Sequence, residues 1–210
     1  RLRFAYDGDG LLRTVTDTLG REITYTYDGS HRLTAVTDHA GRSVTLDYDA
    51  NGDLVAVTSP PVTGTSHAND FPVGKTTVFS YTSGFTDVRL NHNLISFVSP
   101  NEVDDGSSTP RTINTYGTQG FAFDRVIHQS WGGGRANASG IPAGGHVTAV
   151  YTTAIDAQAP AGAASKVTVT DRGDNLVEFW YDGAGHVLRE QRMVGGEVLT
   201  VDQSYNGDGQ

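Results

Sequence analysis

Hydrophobic and polar residues alternate along several short stretches of the chain, and each stretch ends at a tyrosine. Before Tyr27, Ile23 and Tyr25 alternate with Thr24 and Thr26. Because successive side chains of a strand point to opposite faces, this pattern predicts a half-buried strand with one apolar face. The same apolar pair stands before other tyrosines, as Leu2 and Phe4, Val44 and Leu46, Val147 and Ala149, and Val177 and Phe179.

A turn is predicted directly after these tyrosines. In "YDGDG", the carboxylate of Asp7 can accept a backbone N–H bond from two residues on, and Gly10 can adopt a left-handed conformation without steric cost. A second strand and a second turn follow in each unit. The matching residues are Asp28 in the first turn and Gly41 in the second turn of one unit, Asp49 and Gly52 in the next, and Asp182 and Gly185 near the end.

The tyrosines recur along the whole chain, and this recurrence indicates a repeat protein. The spacings between successive anchors are 21, 21, 33, 35, 35, 30 and 24 residues. Each unit reads as strand, turn, strand, turn, so the sequence predicts an all-β chain of antiparallel hairpins. The anchors are Tyr6, Tyr27, Tyr48, Tyr81, Tyr116, Tyr151, Tyr181 and Tyr205.

The longer spacings predict insertion loops within one repeat array over residues 1–210. Segments near 59–75, 99–110 and 132–145 are rich in Gly, Pro, Ser and Asn, and each lies between the second strand of one unit and the first strand of the next. The loop near 154–165 differs, because it falls in the turn after a tyrosine. It is therefore expected at the opposite end of the strands.

Composition and charge exclude several functions. A formal net charge of −9 gives the chain no attraction for a nucleic acid or an anionic membrane. The absence of cysteine excludes disulfides, thiolate catalysis and cysteine zinc sites. No run of 18 apolar residues is present, so no membrane insertion by this segment is predicted.

The in-phase aspartates Asp7, Asp28 and Asp49 are the first candidates for catalysis. Two carboxylates held about 5 to 9 Å apart are the geometry of glycoside hydrolysis. Such a pair needs one partner with a raised pKa in a closed cleft, whereas these residues recur in turns. The turn role is the favoured interpretation, and the chain is not predicted to be an enzyme.

Metal and cofactor sites are also weakly supported. Oxygen-rich stretches occur at Asp7-Gly8-Asp9-Gly10, Asp104-Asp105-Gly106 and Asn206-Gly207-Asp208-Gly209. An EF-hand loop requires a bidentate Glu at position 12, where the first stretch has Thr18. The closest histidines, His31 and His39, do not form a zinc motif. No metal, cofactor or catalytic residue is therefore assigned.

Aromatic residues leave two interpretations open. Those in register along the strands can hold neighbouring strands together as a ladder, in which Tyr27 and Tyr48 are rungs, or they can form a sugar-binding surface. The ladder is favoured because the residues repeat in register. Trp131 and Trp180 fall outside this register, and they are the candidates for contact with another molecule.

The repeat units resemble those of a known family. "YDGDGLLRTVTDTLGR", "YDGSHRLTAVTDHAGR" and "YDGAGHVLREQ" are similar to the YD repeat of bacterial Rhs proteins, which is shared with the BC components of insecticidal toxin complexes and with teneurins. The resemblance implies a continuous curved or spiralling sheet that forms a hollow shell. In Rhs and toxin-complex members that shell encloses a C-terminal toxin segment, and in teneurins a related barrel serves cell adhesion.

The resemblance also implies a structural function and a location. The chain is expected to be a wall segment of a larger secreted or cell-surface protein, because it starts within a strand and stops within the turn "YNGDGQ". Its partners are then the remainder of its own chain, including further repeats and a possible C-terminal toxin cargo. No Asp-Pro dipeptide occurs, so the self-cleavage motif of Rhs-type shells is not assigned to these residues.

The alternative is a binding or adhesion module. In that case the insertion loops or an exposed aromatic face contact a glycan or a partner protein. Clustering of the three loops near 59–75, 99–110 and 132–145 on one rim favours binding, whereas loops without a shared surface favour a scaffold. A closed pocket with two carboxylates is the feature that would favour an enzyme.

Overall fold

The computed structural model describes residues 1–66, 69–104, 109–132 and 144–206, and strands dominate this part of the chain. The short helices are α1 (Pro100–Asp104) and the 3-10 turns Val88–Leu90 and Gly120–Ala122. The strands are β1 (Arg3–Tyr6), β2 (Leu12–Thr16), β3 (Glu22–Tyr27), β4 (Leu33–Thr37), β5 (Ser43–Tyr48), β6 (Leu54–Thr58), β7 (Thr76–Tyr81), β8 (Leu94–Val98), β9 (Thr112–Tyr116), β10 (Val126–Trp131), β11 (Gly145–Thr152), β12 (Ser165–Thr170), β13 (Leu176–Tyr181), β14 (Val187–Val194) and β15 (Glu197–Asp202).

The chain divides into two units. The first comprises Arg1–Tyr81 and Phe97–Pro110, and the second comprises Thr82–Ser96 and Arg111–Gln210. In the first unit β1 to β7 lie in chain order, each pairing antiparallel with the next. In the second unit β9 to β15 follow the same rule. The prediction of an all-β chain of antiparallel hairpins is confirmed.

The pairing register shifts at the anchor tyrosine in most of the regular hairpins. The shift lies between Ala5 and Tyr6, and it recurs immediately before Tyr27, Tyr48 and Tyr181. A bulge of this kind bends its strand and increases the local twist. In these four hairpins the anchor tyrosine is therefore also the position at which the strand departs from regular pairing.

Each strand of the first unit has the two faces that the alternation predicts. On the apolar face Val15 pairs with Ile23, and Val36 pairs with Val44. The opposite face, on which Thr14 pairs with Thr24, is here called the threonine face. Hydroxyl groups link neighbouring strands across the threonine face, with 2.7 Å between Thr37 and Ser43 and 2.9 Å between Thr58 and Thr76.

The described residues of the loop at 59–75, which are 59–66 and 69–75, lie over the apolar face of the first unit. Val62 and Phe71 form a β-bridge within it, and Phe71 lines a groove together with Ile23 and Val44. The loop closes where Gly74 approaches the backbone of Ser59, so that a Cβ at Gly74 would lie 2.0 Å from the Ser59 carbonyl oxygen. The loop therefore covers part of a face that is otherwise open.

The other insertions differ in how much of them is described. The loop at 99–110 contains α1 near its start, and its residues 105–108 lie outside the described part of the chain. In the loop at 132–145, residues 133–143 also lie outside the described part. The loop at 154–165 lies between β11 and β12, in the turn that the sequence predicts. A further insertion, which the spacing did not reveal, lies between β7 and β8, where the Thr82 N–H donates to the Asn93 carbonyl at 2.9 Å.

Few side chains are buried within these units. Among the described residues, the buried hydrophobic side chains are Leu90, Val98 and Trp180. Residues of the apolar face near the first strand remain open, with Leu2 57% and Phe4 52% exposed. Hydrogen bonding and cross-strand contacts therefore carry much of the organisation that a large core provides in a globular domain.

Candidate functional site

The aspartate that follows an anchor tyrosine organises the turn with both of its carboxylate oxygens. Asp28 Oδ1 accepts the backbone N–H groups of Ser30 at 2.8 Å and Arg32 at 2.9 Å. Its Oδ2 accepts from Arg32 Nε at 2.8 Å. The main chain adds a bond from the Asp28 N–H to the Arg32 carbonyl at 2.9 Å. A single side chain therefore satisfies most of the polar groups of this turn.

The same arrangement occurs at both ends of the hairpins, and it extends to the second turns that the sequence predicts at Gly20 and Gly41. Asp17 holds the turn after β2 as Asp28 holds the turn after β3, with bonds from the N–H groups of Leu19 and Arg21. In most of these turns an aspartate is followed three residues later by Gly, and His31 and Asp174 take that position in the other two. The aspartates whose carboxylates accept from the N–H groups two and four residues on are Asp7, Asp17, Asp28, Asp38, Asp49, Asp171 and Asp182.

The glycine positions of these turns require a left-handed backbone. Gly10 has a φ of 80°, and Gly52 and Gly185 each have a φ of 91°. His31 occupies the matching position of its turn with a φ of 64°. Non-glycine residues adopt this conformation rarely, so glycine is favoured at these positions without being indispensable.

The electrostatics of these turns keep the carboxylates ionised. The Arg42 guanidinium, followed by the Arg42 backbone N–H, lowers the pKa of Asp38 to about 2. The pKa of Asp28 is lowered mainly by the Arg32 backbone N–H, and that of Asp49 mainly by the Asp53 backbone N–H. A general acid needs the opposite shift. These carboxylates act as hydrogen-bond acceptors within turns.

Four of the anchor tyrosines connect their hairpin to the preceding strand through the hydroxyl group. The Tyr27 hydroxyl donates to the Leu12 carbonyl at 3.0 Å, and the Tyr48 hydroxyl donates to the Leu33 carbonyl at 3.0 Å. In the second unit the Tyr116 hydroxyl donates to Leu94 at 3.0 Å, and Tyr151 donates to Val126 at 3.1 Å. In every case the acceptor is the first residue of the preceding strand.

This hydrogen bond takes the place that the sequence analysis gave to an aromatic ladder. The aromatic ring contacts in the described ranges join His128 to His146, Phe179 to Tyr181, and His186 to Tyr205. None of these contacts joins successive anchors. Alternation identifies the face on which a tyrosine lies, but it does not show what its hydroxyl reaches.

Trp180 requires a correction, because its side chain is 0% exposed. It lies in β13 directly opposite Lys166 of β12, whose Nζ is 5.4 Å from the centre of the Trp180 rings. The Trp180 side chain is thus not available for contact with another molecule. Trp131 is half-buried at the end of β10, and its predicted contact role remains a prediction.

Beside Trp180 lies a nearly buried cluster of charges. Lys166 Nζ donates to Asp156 Oδ2 at 2.5 Å and to Glu178 Oε1 at 2.9 Å. The Lys166 ammonium lowers the pKa of Asp156. Asp156 Oδ1 and Trp180 Nε1 are both buried, and neither forms a well-aligned hydrogen bond. The indole N–H of Trp180 nevertheless lies near the Asp156 carboxylate and also lowers its pKa. This cluster attaches the loop at 154–165 to the sheet.

The candidate metal stretches show other roles where they are described. Asp7 holds its turn, and Asp9 lies 3.6 Å from His31 Nε2. Residues 105–106 and 207–209 lie outside the described ranges. Within those ranges, no group of three or more His, Asp or Glu residues is arranged to hold a metal ion. Likewise, none of the described helices is long and apolar enough to cross a membrane.

Comparison with known proteins agrees with these repeats. The family model of the RHS Repeat matches residues 6–38 and 27–60. A search of curated proteins gives no match. Both matched ranges begin at an anchor tyrosine and include the turns described above.

Solved structures share the fold over the whole chain. The crystal structure of TcdB2-TccC3-Cdc42 is 15% identical with a TM-score of 0.60, and that of TcdB2-TccC3-TEV is 14% identical with a TM-score of 0.61. Each comparison covers 100% of this chain and 10% of the other, so the chain spans about a tenth of their length. The family model therefore identifies RHS repeats over residues 6–60, and the chain as a whole has the fold of these solved structures.

Proposed function

We propose that residues 1–210 form one repeat array that builds part of the wall of a β-shell in a larger, secreted or cell-surface protein. In this proposal the shell encloses or presents a C-terminal toxin or effector. The observation that carries it is the hydrogen bond to the first residue of the preceding strand that four anchor hydroxyls donate, those of Tyr27, Tyr48, Tyr116 and Tyr151. Bonds of this kind recur along the array and join neighbouring hairpins, as a wall requires.

The distribution of polar groups supports a structural role over a catalytic one. The turn aspartates use their carboxylates to hold backbone N–H groups, and arginines compensate three of them through the pairs Asp17 and Arg21, Asp28 and Arg32, and Asp38 and Arg42. A residue that is already bound on both oxygens is poorly placed to transfer a proton. The repeated chemistry serves chain geometry.

Protease protection in the parent protein tests the enclosure. The segment that follows the repeats is expected to resist a protease in the native parent chain and to be cleaved after Tyr27→Phe and Tyr48→Phe are combined. Tyr25→Phe is the matched control, because Tyr25 lies in the same strand as Tyr27 and no hydrogen bond of its hydroxyl occurs within the described part of the chain. If the protease cleaves that segment as fast in the native protein as in the variant that combines Tyr27→Phe and Tyr48→Phe, the segment is not enclosed.

The second candidate function is a binding or adhesion module. It is favoured by the exposed apolar residues near the first strands, with Tyr6 62% and Leu19 76% exposed. The partner is then a glycan or a protein, contacted through the insertion loops or the aromatic face. Specific retention of the chain on a glycan or on an isolated partner, lost on Phe4→Ser but not on Val194→Ser, supports this candidate. Equal retention of both variants argues against it.

A further inference from the structure

Arg125 is held by an irregular turn that replaces the aspartate turn after Tyr116. The Gly117 N–H donates to the Arg125 carbonyl at 2.9 Å, and a Cβ at Gly117 would lie 2.2 Å from the Ala122 carbonyl oxygen. Asp124 adopts a φ of 58°, and its Oδ1 accepts from Asn93 Nδ2 at 2.7 Å. The backbone on both sides of Arg125 is thus fixed by close contacts and hydrogen bonds.

The Arg125 side chain stacks on aromatic rings without a carboxylate partner. Its Cζ lies 4.2 Å from the ring centre of Phe121 and 5.2 Å from that of Tyr151. Over the residues that the structure describes, Arg125 takes part in no ion pair. Stacking of this kind limits the motion of the guanidinium plane and leaves its N–H edge available.

Two other arginines of the chain show what such an edge binds. Arg32 stacks on Tyr48 with 4.7 Å between Cζ and the ring centre, and its Nε donates to Asp28 at 2.8 Å. Arg89 stacks on a ring at 4.5 Å and donates through both Nε and Nη2 to Asp87. In both, a carboxylate of the chain itself occupies the guanidinium edge. Arg125 has the same stack, but the carboxylate is missing.

Arg125 lines a groove of about 620 Å³ in the second unit. Tyr151, Val167 and Tyr181 form much of its wall, and the turn from Asp182 to Gly185 lines one end. The Asp182 carboxylate does not neutralise Arg125, because it accepts from the N–H groups of Ala184 and His186 and lies 2.9 Å from His186 Nδ1.

We propose that this groove binds a polypeptide segment in which an acidic residue stands beside a large apolar one. The carboxylate forms a two-point hydrogen bond with Arg125, and the apolar side chain packs against Tyr151, Val167 and Tyr181. Charge-assisted bonds of this forked geometry are among the strongest in proteins. The inference concerns a site on this chain and does not depend on enclosure of a cargo.

The walls of the groove favour this occupant over other anions. A nucleic acid or another polyanion is repelled by the net charge of −9, whereas a single carboxylate meets a single local cation. A sugar acid carries hydroxyl groups that need polar partners on many sides; Thr153 and Ser165 line the groove, but the guanidinium of Arg125 itself lies over the rings of Phe121 and Tyr151. An apolar body with one carboxylate matches both properties of the groove.

Titration of the complete 210-residue chain with two capped tripeptides tests the proposal. The probes are acetyl-Leu-Glu-Phe-amide and the uncharged acetyl-Leu-Gln-Phe-amide, and affinity is measured by NMR chemical-shift changes. The glutamate peptide is expected to bind about tenfold or more tightly than the glutamine peptide, since a bond to a charged group contributes more than its neutral counterpart. Arg125→Gln is expected to abolish that difference, and Arg125→Lys to restore part of it.

Arg32→Gln is the matched control, because that arginine also stacks on a tyrosine but already binds a carboxylate. It is expected to leave the preference for the glutamate peptide unchanged. Equal affinity of the two peptides for the unmodified chain would overturn the proposal even if Arg125→Gln failed to fold. Binding of glucuronic acid in the groove without binding of either peptide would also overturn it and assign the site to acidic sugars.

Discussion

The hydroxyl of Tyr48 donates a hydrogen bond of 3.0 Å to the carbonyl oxygen of Leu33, which lies 15 residues earlier in the chain. Tyr27 makes the same bond to Leu12 across the same separation of 15 residues. Each bond joins the end of one hairpin to the start of the strand before it. The tyrosine of the YD repeat therefore connects neighbouring hairpins, and its aspartate is the centre of the turn that follows.

Tyr48→Phe is expected to destabilise the fold by about 0.5–1.5 kcal/mol, the usual contribution of one hydrogen bond. The change removes only the hydroxyl, so the packing of the ring is retained. Urea unfolding followed by circular dichroism measures the effect. Tyr6→Phe is the control and is expected to leave the unfolding midpoint unchanged; an equal loss in both variants would show that the bond to Leu33 contributes nothing specific.

Acid is expected to weaken the fold through the turn aspartates. The pKa of Asp38 is about 2 in the folded chain, below the value of about 4 for an unperturbed aspartate. Its stabilising contribution is therefore complete above pH 4 and is lost as the pH falls towards 2. Thermal unfolding between pH 2 and pH 6 measures this dependence.

Asp38→Asn is expected to reduce that pH dependence, because the amide no longer titrates. Asp47→Asn is its control, since Asp47 is exposed within β5 and is not part of a turn. If Asp38→Asn and the unmodified chain lose stability in parallel between pH 4 and pH 2, then Asp38 is not a source of the acid sensitivity.

Lys166→Met is expected to detach the loop at 154–165. The Lys166 and Glu178 side chains are only 15% and 14% exposed, so removal of the ammonium leaves carboxylates in poorly solvated positions. The cost is expected to be on the order of 2 kcal/mol, less than the 3–5 kcal/mol for a fully buried pair. In a Trp131→Phe background, the fluorescence of Trp180 is expected to shift to longer wavelength as water reaches the indole.

Lys75→Met serves as the control for Lys166→Met. Lys75 also lies over an aromatic ring, with Nζ 4.9 Å from the ring centre of Phe71, but it has no ion pair within the described ranges. Its replacement is expected to leave the Trp180 emission unchanged. Unchanged emission in Lys166→Met would mean that the charge cluster does not hold the loop over Trp180.

Gly74→Ala is expected to destabilise the fold far more than Gly20→Ala. The two glycines have nearly the same backbone, with φ values of 80° and 78°. A new Cβ at Gly20 meets nothing within 4 Å, so the cost there is about 1–2 kcal/mol for the left-handed conformation alone. At Gly74 the overlap with the Ser59 carbonyl adds about 1–3 kcal/mol. Urea unfolding of both variants separates these costs, and equal losses would contradict the close approach.

Local patterns predicted the fold well, because strands and tight turns depend on neighbouring residues. Alternation around Ile23 and Tyr25 predicts both the strand and its apolar face. Aspartate and glycine at fixed offsets predict the turns, as at Asp49 and Gly52. Thr170-Asp171 precedes Tyr181 as Thr16-Asp17 precedes Tyr27, which indicates that the extra residues of this unit lie in the turn after Tyr151, where the structure has the loop between β11 and β12.

Several contacts were beyond such patterns. The second turns, which end at Gly20 and Gly41, were predicted from the sequence, but the hydrogen bonds that Asp17 and Asp38 accept within them are seen only in the structure. The insertion between Thr82 and Asn93 was not predicted, because a long spacing between two anchors does not say at which end of the strands the extra residues lie.

The hairpin repeat, the two faces of each strand and the chemistry of the turns can be read from the amino-acid sequence, since all three arise from residues close together in the chain. The acceptors of the tyrosine hydroxyls, the burial of Trp180 and the stacking of Arg125 without a carboxylate partner are visible only in the folded structure. These three features depend on neighbours brought together from separate strands and loops. Residue spacing does not encode the distance between a loop and the sheet face on which it comes to lie, and that distance determines whether a side chain is buried, paired or open to a ligand.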